Sequence, residues 1–362
     1  MMLSRILFCL LMGATLLALG CDLVDDGSEA SKTEPLSDPK IRLVSQLIVA
    51  PGAMRHSDVW GYVDPNTGKE YALVGGVFGG TALFIIDASD PAAPVHVATV
   101  EVPGFDVKVW DRYAYTVTGG GDQGRQPEGR IIDLADPANP AIVGAFPSAH
   151  NIFIDTRGYM YLEGPGLRIF DLNADPTNPV LIWQDEGLGG HDATVIGDRL
   201  YDFHGRGGTR IYDVSTPAAP QQLGAITLPT IRYHHSGWTT TDGNYLFLCD
   251  EGSQGLNADV TAWDIQDPGN PVLVAEIGDS TATVHNLFIL DNLAYLSYYT
   301  AGFRLYDVSD PTMPRLLDEF DTAPTATGAG FDGAWGVYPF TPSGHIYVSD
   351  MEGGLYIFAL ER

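Results

Sequence analysis

A single turn recurs six times along this chain. It reads DASDPAAP (87–94), DLADPANP (133–140), DLNADPTNP (171–179), DVSTPAAP (213–220), DIQDPGNP (264–271) and DVSDPTMP (307–314). Its leading Asp stands at 87, 133, 171, 213, 264 and 307, on average every 44 residues. Asp and Ser side chains bond backbone amides one or two residues on, and each Pro fixes φ and prevents a strand from continuing. Such a turn joins two strands. A period of about 40–50 residues with strand-like content between the turns is that of propeller blades.

The surroundings of the turn repeat as well. An apolar strand precedes it, as in TALFIID (81–87), GLRIFD (166–171), GTRIYD (208–213) and GFRLYD (302–307). Further back lies a Tyr-rich strand, such as EYALVGG (70–76), YMYLEG (159–164) or LAYLSYY (293–299), and before that an inner strand, HNIFID (150–155), HDATVI (191–196) or HNLFIL (285–290). A fourth follows the turn, for example PVHVATVEV (94–102) or PVLVAEI (271–277). These runs are rich in Val, Ile, Tyr and Phe, and Gly and Pro bound them. No sustained helical period interrupts them. The expected class is all-β, with four strands to a blade. A chain of 362 residues exceeds the roughly 250–300 at which single cores stop growing, but a repeat array escapes that limit because each unit packs only on its neighbours.

Six turns leave the ring one blade short. The tail GAWGVYPFTPSGHIYVSDMEGGLYIFALER (333–362) supplies three more strands and stops where the next Asp turn would begin. The missing outer strand stands at the other end. IRLVSQLIVAPGAMRHS (41–57) resembles PVLVAEIGDSTATVHN (271–286), an outer strand leading into an inner one. The N-terminal strand is therefore expected to complete the last blade, giving a seven-bladed β-propeller over 41–362 with its sheet edges hidden.

Residues 1–20 read as a lipoprotein signal peptide, with Arg5 ahead of the apolar ILFCLLMGATLLAL (6–19). The segment ends in ALGC (18–21), which resembles a lipobox and implies acylation of Cys21 and anchorage to a membrane. Residues 21–40 follow as an acidic, flexible tether, too polar to bury a core. The expected location is the cell surface or periplasm. Of the three cysteines only Cys249 falls in the propeller, so no internal disulfide is expected there. The net charge of −27, from 46 acidic and 19 basic side chains, excludes nucleic acid as a partner, since that needs a basic footprint.

Over almost the whole mature chain the arrangement resembles the LVIVD-repeat propellers of the choice-of-anchor B family. The residues that carry the resemblance are the strand starts His150–Asn151, His191–Asp192 and His285–Asn286, the DxSDPxxP turns, CDEG at 249–252 and GAWGVYPFTPSGHIYVSD at 333–350. The resemblance implies export, a surface anchor and a propeller, and names no reaction. The second blade departs from it, with FDVKVW (105–110) in place of a His start.

Five of the seven inner strands begin with His, at His56, His150, His191, His235 and His285; the other two begin near Asp106 and Trp335. The second-strand ends carry Glu163, His204, Asp250, Glu251 and Asp350. The loop into strand one and the loop after strand two open on one face, so these groups are expected round one mouth of the channel. Mixed N/O ligation suits Zn, Mn or Fe, and Ca remains a further candidate through the carboxylates and the Asp turns. Arg232, Tyr233, Trp238, Tyr298, Tyr299 and Trp335 are candidates to line the same mouth and hold a ligand. A structural role stands beside this reading. A repeated His bonding within its own blade would give the same pattern, whereas a site requires three or more to converge across the axis. No GxSxG, HExxH or Walker-type loop occurs, and the acids beside Cys249 argue against a nucleophilic thiol. Three functions fit: a binding or scaffolding module for a protein, glycan or ion; a metal-dependent hydrolase or oxidoreductase; and a structural envelope component.

Overall fold

The computed structural model describes residues 38–49, 54–120, 128–185, 187, 189–252 and 258–361. Lipidation at Cys21, the leader and most of the tether lie outside the described residues. Every regular element described is a strand.

The first strand, β1 (Lys40–Leu47), stands apart from the six blades that follow it. Blade 1 is β2 (Arg55–Val63), β3 (Glu70–Val77), β4 (Ala82–Asp87) and β5 (Val95–Val100). Blade 2 is β6 (Asp106–Trp110), β7 (Tyr113–Val117), β8 (Glu128–Asp133) and β9 (Ala141–Pro147). Blade 3 is β10 (Asn151–Ile154), β11 (Tyr159–Glu163), β12 (Arg168–Asp171) and β13 (Val180–Gln184). Blade 4 is β14 (Asp192–Ile196), β15 (Arg199–Phe203), β16 (Thr209–Asp213) and β17 (Gln221–Ile226). Blade 5 is β18 (His234–Thr239), β19 (Tyr245–Asp250), β20 (Val260–Asp264) and β21 (Val272–Ile277). Blade 6 is β22 (Leu287–Leu290), β23 (Leu293–Ser297), β24 (Phe303–Asp307) and β25 (Arg315–Phe320). Blade 7 is β26 (Ala334–Tyr338), β27 (Ile346–Asp350) and β28 (Gly354–Glu361), with β1 as its outer strand. The sheets are antiparallel, and the inner strands touch their neighbours in turn from β2 round to β26, which meets β2 again. The expected seven-bladed closure is the one observed.

The repeated turn forms the hairpin between strands three and four of blades 1 to 6. Asp87 Oδ1 accepts the Ser89 amide at 3.0 Å and Asp90 Oδ1 accepts the Ala92 amide at 3.1 Å; Asp307 and Asp310 repeat this with Ser309 and Thr312. Just beyond the turn every outer strand carries a β-bulge. One residue, Val97, Val143, Ile182, Leu223, Val274 or Leu317, is left without a partner opposite strand three. In β1 the same place is taken by Val44. The strand borrowed from the far end of the chain thus keeps the repeat's own irregularity. It also ties three blades together. Ile41 N donates to Asp318 Oδ2 (2.8 Å) in blade 6, and Ser45 Oγ to the Pro91 carbonyl (2.6 Å) in the turn of blade 1.

The core is divided into seven apolar layers, one between each pair of adjacent blades. The layer between blades 1 and 2 holds Leu73, Leu83, Ile85, Val107 and Ile132; that between blades 7 and 1 holds Val74, Ile86, Tyr347, Leu355 and Ile357. This is the nearest-neighbour packing of a repeat array. It leaves the inner strands facing a central channel.

Candidate functional site around the channel mouth

Just ahead of three inner strands, a histidine amide bonds the last residue of strand two. His150 N, His191 N and His285 N donate to the carbonyls of Glu163 (2.7 Å), Phe203 (2.7 Å) and Ser297 (2.9 Å). In blade 5 a bulge between His234 and Ser236 gives His235 the same place, and in blade 7 a bulge between Ala334 and Gly336 does this for Trp335. Bulges re-aim side chains in this way. The result is an arc of imidazoles running from blade 3 to blade 6. Ring centroids stand 4.2 Å apart for His150 and His191, 4.3 Å for His191 and His235, and 4.3 Å for His235 and His285. The arc ends against Trp335, whose carbonyl accepts from His285 Nδ1 at 2.6 Å. The imidazoles therefore meet across blade boundaries and not within single blades.

Glu251 completes the arc. The ligating atoms of His191, His235 and Glu251 all lie within 4.8 Å of one another. Tyr299, held at a φ of 32°, donates its hydroxyl to Glu251 Oε1 at 2.9 Å. Burial pushes His191 and His235 well below the usual histidine range, aided by the neighbouring imidazoles, and brings His285 to about 4. All three rings are neutral at neutral pH, with lone pairs available. Burial also raises the Glu251 carboxyl to about 7, the Tyr299 hydroxyl offsetting part of the effect.

Below the arc lies a cavity of about 170 Å³. Its next layer is polar: Asp58 from β2, Asp106 and Lys108 from β6, Asn151 from β10, and Asp192 from β14. Lys108 Nζ reaches Asp58 Oδ2 at 2.9 Å and also bonds Asp106. Burial and the Asp58 charge hold one proton on Asp106 well above the carboxylate range, while Lys108 keeps Asp58 ionised, below it. Deeper still, Phe153, Trp238, Phe288 and Phe340 form an aromatic floor, with ring centroids 5.0–6.2 Å apart.

Several candidates lie away from this chamber, and each has a local reason. In β2 the bulge spans Ser57 and Asp58, so Asp58 faces the channel while His56 packs on Phe84 with neither ring nitrogen bonded. His204 Nε2 is 2.8 Å from Asp202 and its Nδ1 accepts the Gly190 amide, within its own blade. Asp250 caps the amides of Arg232 and Tyr233, and Asp350 those of Glu352 and Gly353. Three of the ligand candidates, Trp238, Tyr298 and Arg232, lie away from the mouth. Trp238 sits three residues beyond His235, deep in the floor and not at the mouth. Tyr298 points into the layer between blades 5 and 6, with its hydroxyl on Asp259 (3.1 Å). Arg232 lies outside the cavity lining, and Tyr233 reaches the site only by standing edge-on to His191 at 4.9 Å. Tyr299 and Trp335 line the cavity. Cys249 is fully buried and its thiol is pushed up, which removes it as a nucleophile. The residues not expected beforehand are Asp58, Lys108, Asn151 and Asp192. Lys108, the single cation of β6 in a chain with four lysines, was the visible signal.

Glu163 is buried beside Asp202, with no hydrogen-bond partner for either oxygen, in space that a Cβ on Gly190 would occupy (1.9 Å). Burial first, and then Asp202, push its carboxyl well above the usual range. The folded state thus holds a proton that the unfolded chain releases near pH 4–5. Stability should fall as pH rises above that point, by up to about 1.4 kcal/mol per pH unit until the folded pKa is passed. Glu163→Gln keeps the shape without the proton and is expected to flatten this slope, as urea denaturation between pH 5 and 8 would show. An unchanged slope would mean that Glu163 is ionised in the fold.

The LVIVD repeat family model matches residues 70–102 and 283–322. The chain carries LVIVD repeats on a seven-bladed propeller. Among curated proteins the comparison finds no match. Two solved structures are similar in fold. The WD40 repeats of RRP9 align with a TM-score of 0.58 at 10% identity, covering 90% of this chain and 99% of that one. The computationally designed Ika8 protein aligns with a TM-score of 0.57 at 9% identity, covering 88% and 99%. At such identities the likeness concerns architecture alone.

Proposed function

We propose that this propeller is an exported, lipid-anchored binding module that takes its ligand at the channel mouth through a divalent transition metal held by His191, His235 and Glu251. LVIVD repeats on a propeller favour a binding or scaffold role. The observation that carries the metal is the convergence of two imidazole nitrogens and one carboxylate oxygen within 4.8 Å, at the edge of a cavity. Two neutral imidazoles and a carboxylate suit zinc, iron or manganese. Their positive partner would offset the cost that burial imposes on Glu251. The lipobox at 18–21 and the resemblance to the choice-of-anchor B family support export and anchorage through Cys21. Three protein ligands with the remaining positions open to a cavity is the pattern of catalytic rather than structural zinc sites. That favours a metal-dependent hydrolase or oxidoreductase as the second reading.

Elemental analysis of protein purified without a His tag tests the site. About one equivalent of transition metal is expected, lost in His191→Ala and His235→Ala and retained in His96→Ala, an exposed imidazole on the outer strand of blade 1. A protein that takes up no metal, or takes it up equally in all variants, overturns the proposal.

A further inference from the structure

Above the chamber lies a second space of about 540 Å³. Phe105, Tyr299 and Trp335 line both, so the two spaces adjoin across these three rings. The outer walls are Phe78, Phe331 and Met351. Phe78 is 44% exposed at a φ of 48°, and Phe331 is 51% exposed. A bulky side chain at positive φ is strained, and an exposed apolar patch beside a cavity marks a binding surface. The rings stand at right angles: Tyr299 to Phe331 at 5.3 Å and 84°, and Phe105 to Trp335 at 5.3 Å and 88°. Such walls offer a flat guest both faces and edges. The one cation among the described lining residues, Arg55, is neutralised by Asp332 (2.6 Å) and Glu352 (3.0 Å).

We propose that the ligand is an uncharged molecule with a planar aromatic body and a small terminal donor atom. The body lodges in the vestibule among Phe78, Phe105, Phe331, Trp335 and Tyr299. The donor reaches the His191/His235/Glu251 cluster in a chamber whose 170 Å³ holds at most a single small ring. The second half of this assignment rests on the metal reading; the first does not. Net charge enters the choice of class, since an acidic protein whose one vestibule cation among the described residues is already paired gives an anion little to hold.

The test uses zinc-loaded and chelator-treated full-length protein, titrated calorimetrically. On the loaded protein 4-phenylimidazole is expected to bind at least about 30-fold more tightly than imidazole. Phe331→Ala and Phe78→Ala should cut that advantage about tenfold while leaving metal content and imidazole affinity unchanged. Both side chains are exposed enough for truncation to spare the fold. On the chelated protein indole, which has the body without the zinc-binding nitrogen, should bind weakly with a measurable heat, and Phe331→Ala should abolish this. Equal affinities for the two imidazoles, or an advantage that survives both variants, overturns the assignment. So does tighter binding of benzyltrimethylammonium than of indole, which would make the vestibule a cation cage. If no metal binds, the indole arm still decides the vestibule, so the two readings fail separately.

Discussion

A chain beginning at Met54 is expected to lose about 5 kcal/mol of stability and to unfold over a broad, stepwise transition. It lacks β1 and with it a full outer strand paired from Lys40–Glu361 to Leu47–Leu355. Ile41, Val44 and Leu47 pack on the layers at both faces of blade 7. Half-buried aliphatic side chains contribute on the order of 1–1.5 kcal/mol each, and the lost contacts to Asp318, Leu317 and Pro91 add about 1 kcal/mol apiece at most. At about 2 °C per kcal/mol for a chain of this size, the midpoint should fall by roughly 10 °C. Removing β1 also takes away the strand through which the two ends of the propeller share one sheet. Blades 6, 7 and 1 then lose their shared tie, and a repeat array without closure unfolds piecewise. The bare edge of β28 should promote self-association. Scanning calorimetry and sedimentation would measure both effects, and a synthetic peptide of residues 38–49 should restore the transition in trans. A single transition at the parent midpoint would show that β1 contributes nothing to closure.

Closure was legible because the missing strand is itself a copy of the repeat. Residues 41–57 read like residues 271–286, and the count of Asp turns left one place for them. The bulged residue was not legible. Val44, Val97 and Leu317 sit in short runs whose alternation breaks by one position, and a break of one becomes visible only when the partner strand is alongside.

The same limit governed the site. His150, His191 and His285 could be placed at strand starts because the dipeptides HN and HD recur there. Which way a side chain points, however, is set by local register. His56 fills the same slot in sequence, yet a bulge gives the channel to Asp58. Tyr298 and Tyr299 are adjacent just past β23, where a positive φ at Tyr299 parts them, one entering a layer and the other reaching the mouth. Lys108 was visible as an oddity in FDVKVW, but its partner Asp58 lies 50 residues earlier in the neighbouring blade. No local pattern joins them.

That ion pair carries the second large effect. Lys108→Met is expected to cost about 4 kcal/mol at pH 7, because removing one partner of a buried pair leaves uncompensated charge. Lys108 and Asp58 are each about a tenth exposed at the side chain, and Lys108 also sits 4.6 Å from the Trp60 ring, which offers no substitute counter-charge for the carboxyls. The pH dependence identifies the cause. With Lys108 present, Asp58 titrates below its usual value, so its contribution is full above the unfolded pKa and is lost as pH falls through the folded one. Without Lys108, both carboxyls rise above their unfolded values, and the sign reverses. The cost is then present above pH 4 and fades as acid neutralises the pair. Guanidinium denaturation at pH 7 and pH 4.5 should therefore show a deficit that shrinks by more than half at the lower pH. Lys108→Met combined with Asp58→Asn and Asp106→Asn should recover most of the loss, since a neutral layer leaves no charge to compensate. A deficit that is equal at both pH values and persists in the triple variant would locate the effect in packing against Trp60, and the charged layer beneath the imidazole arc would not be what holds blades 1 and 2 together.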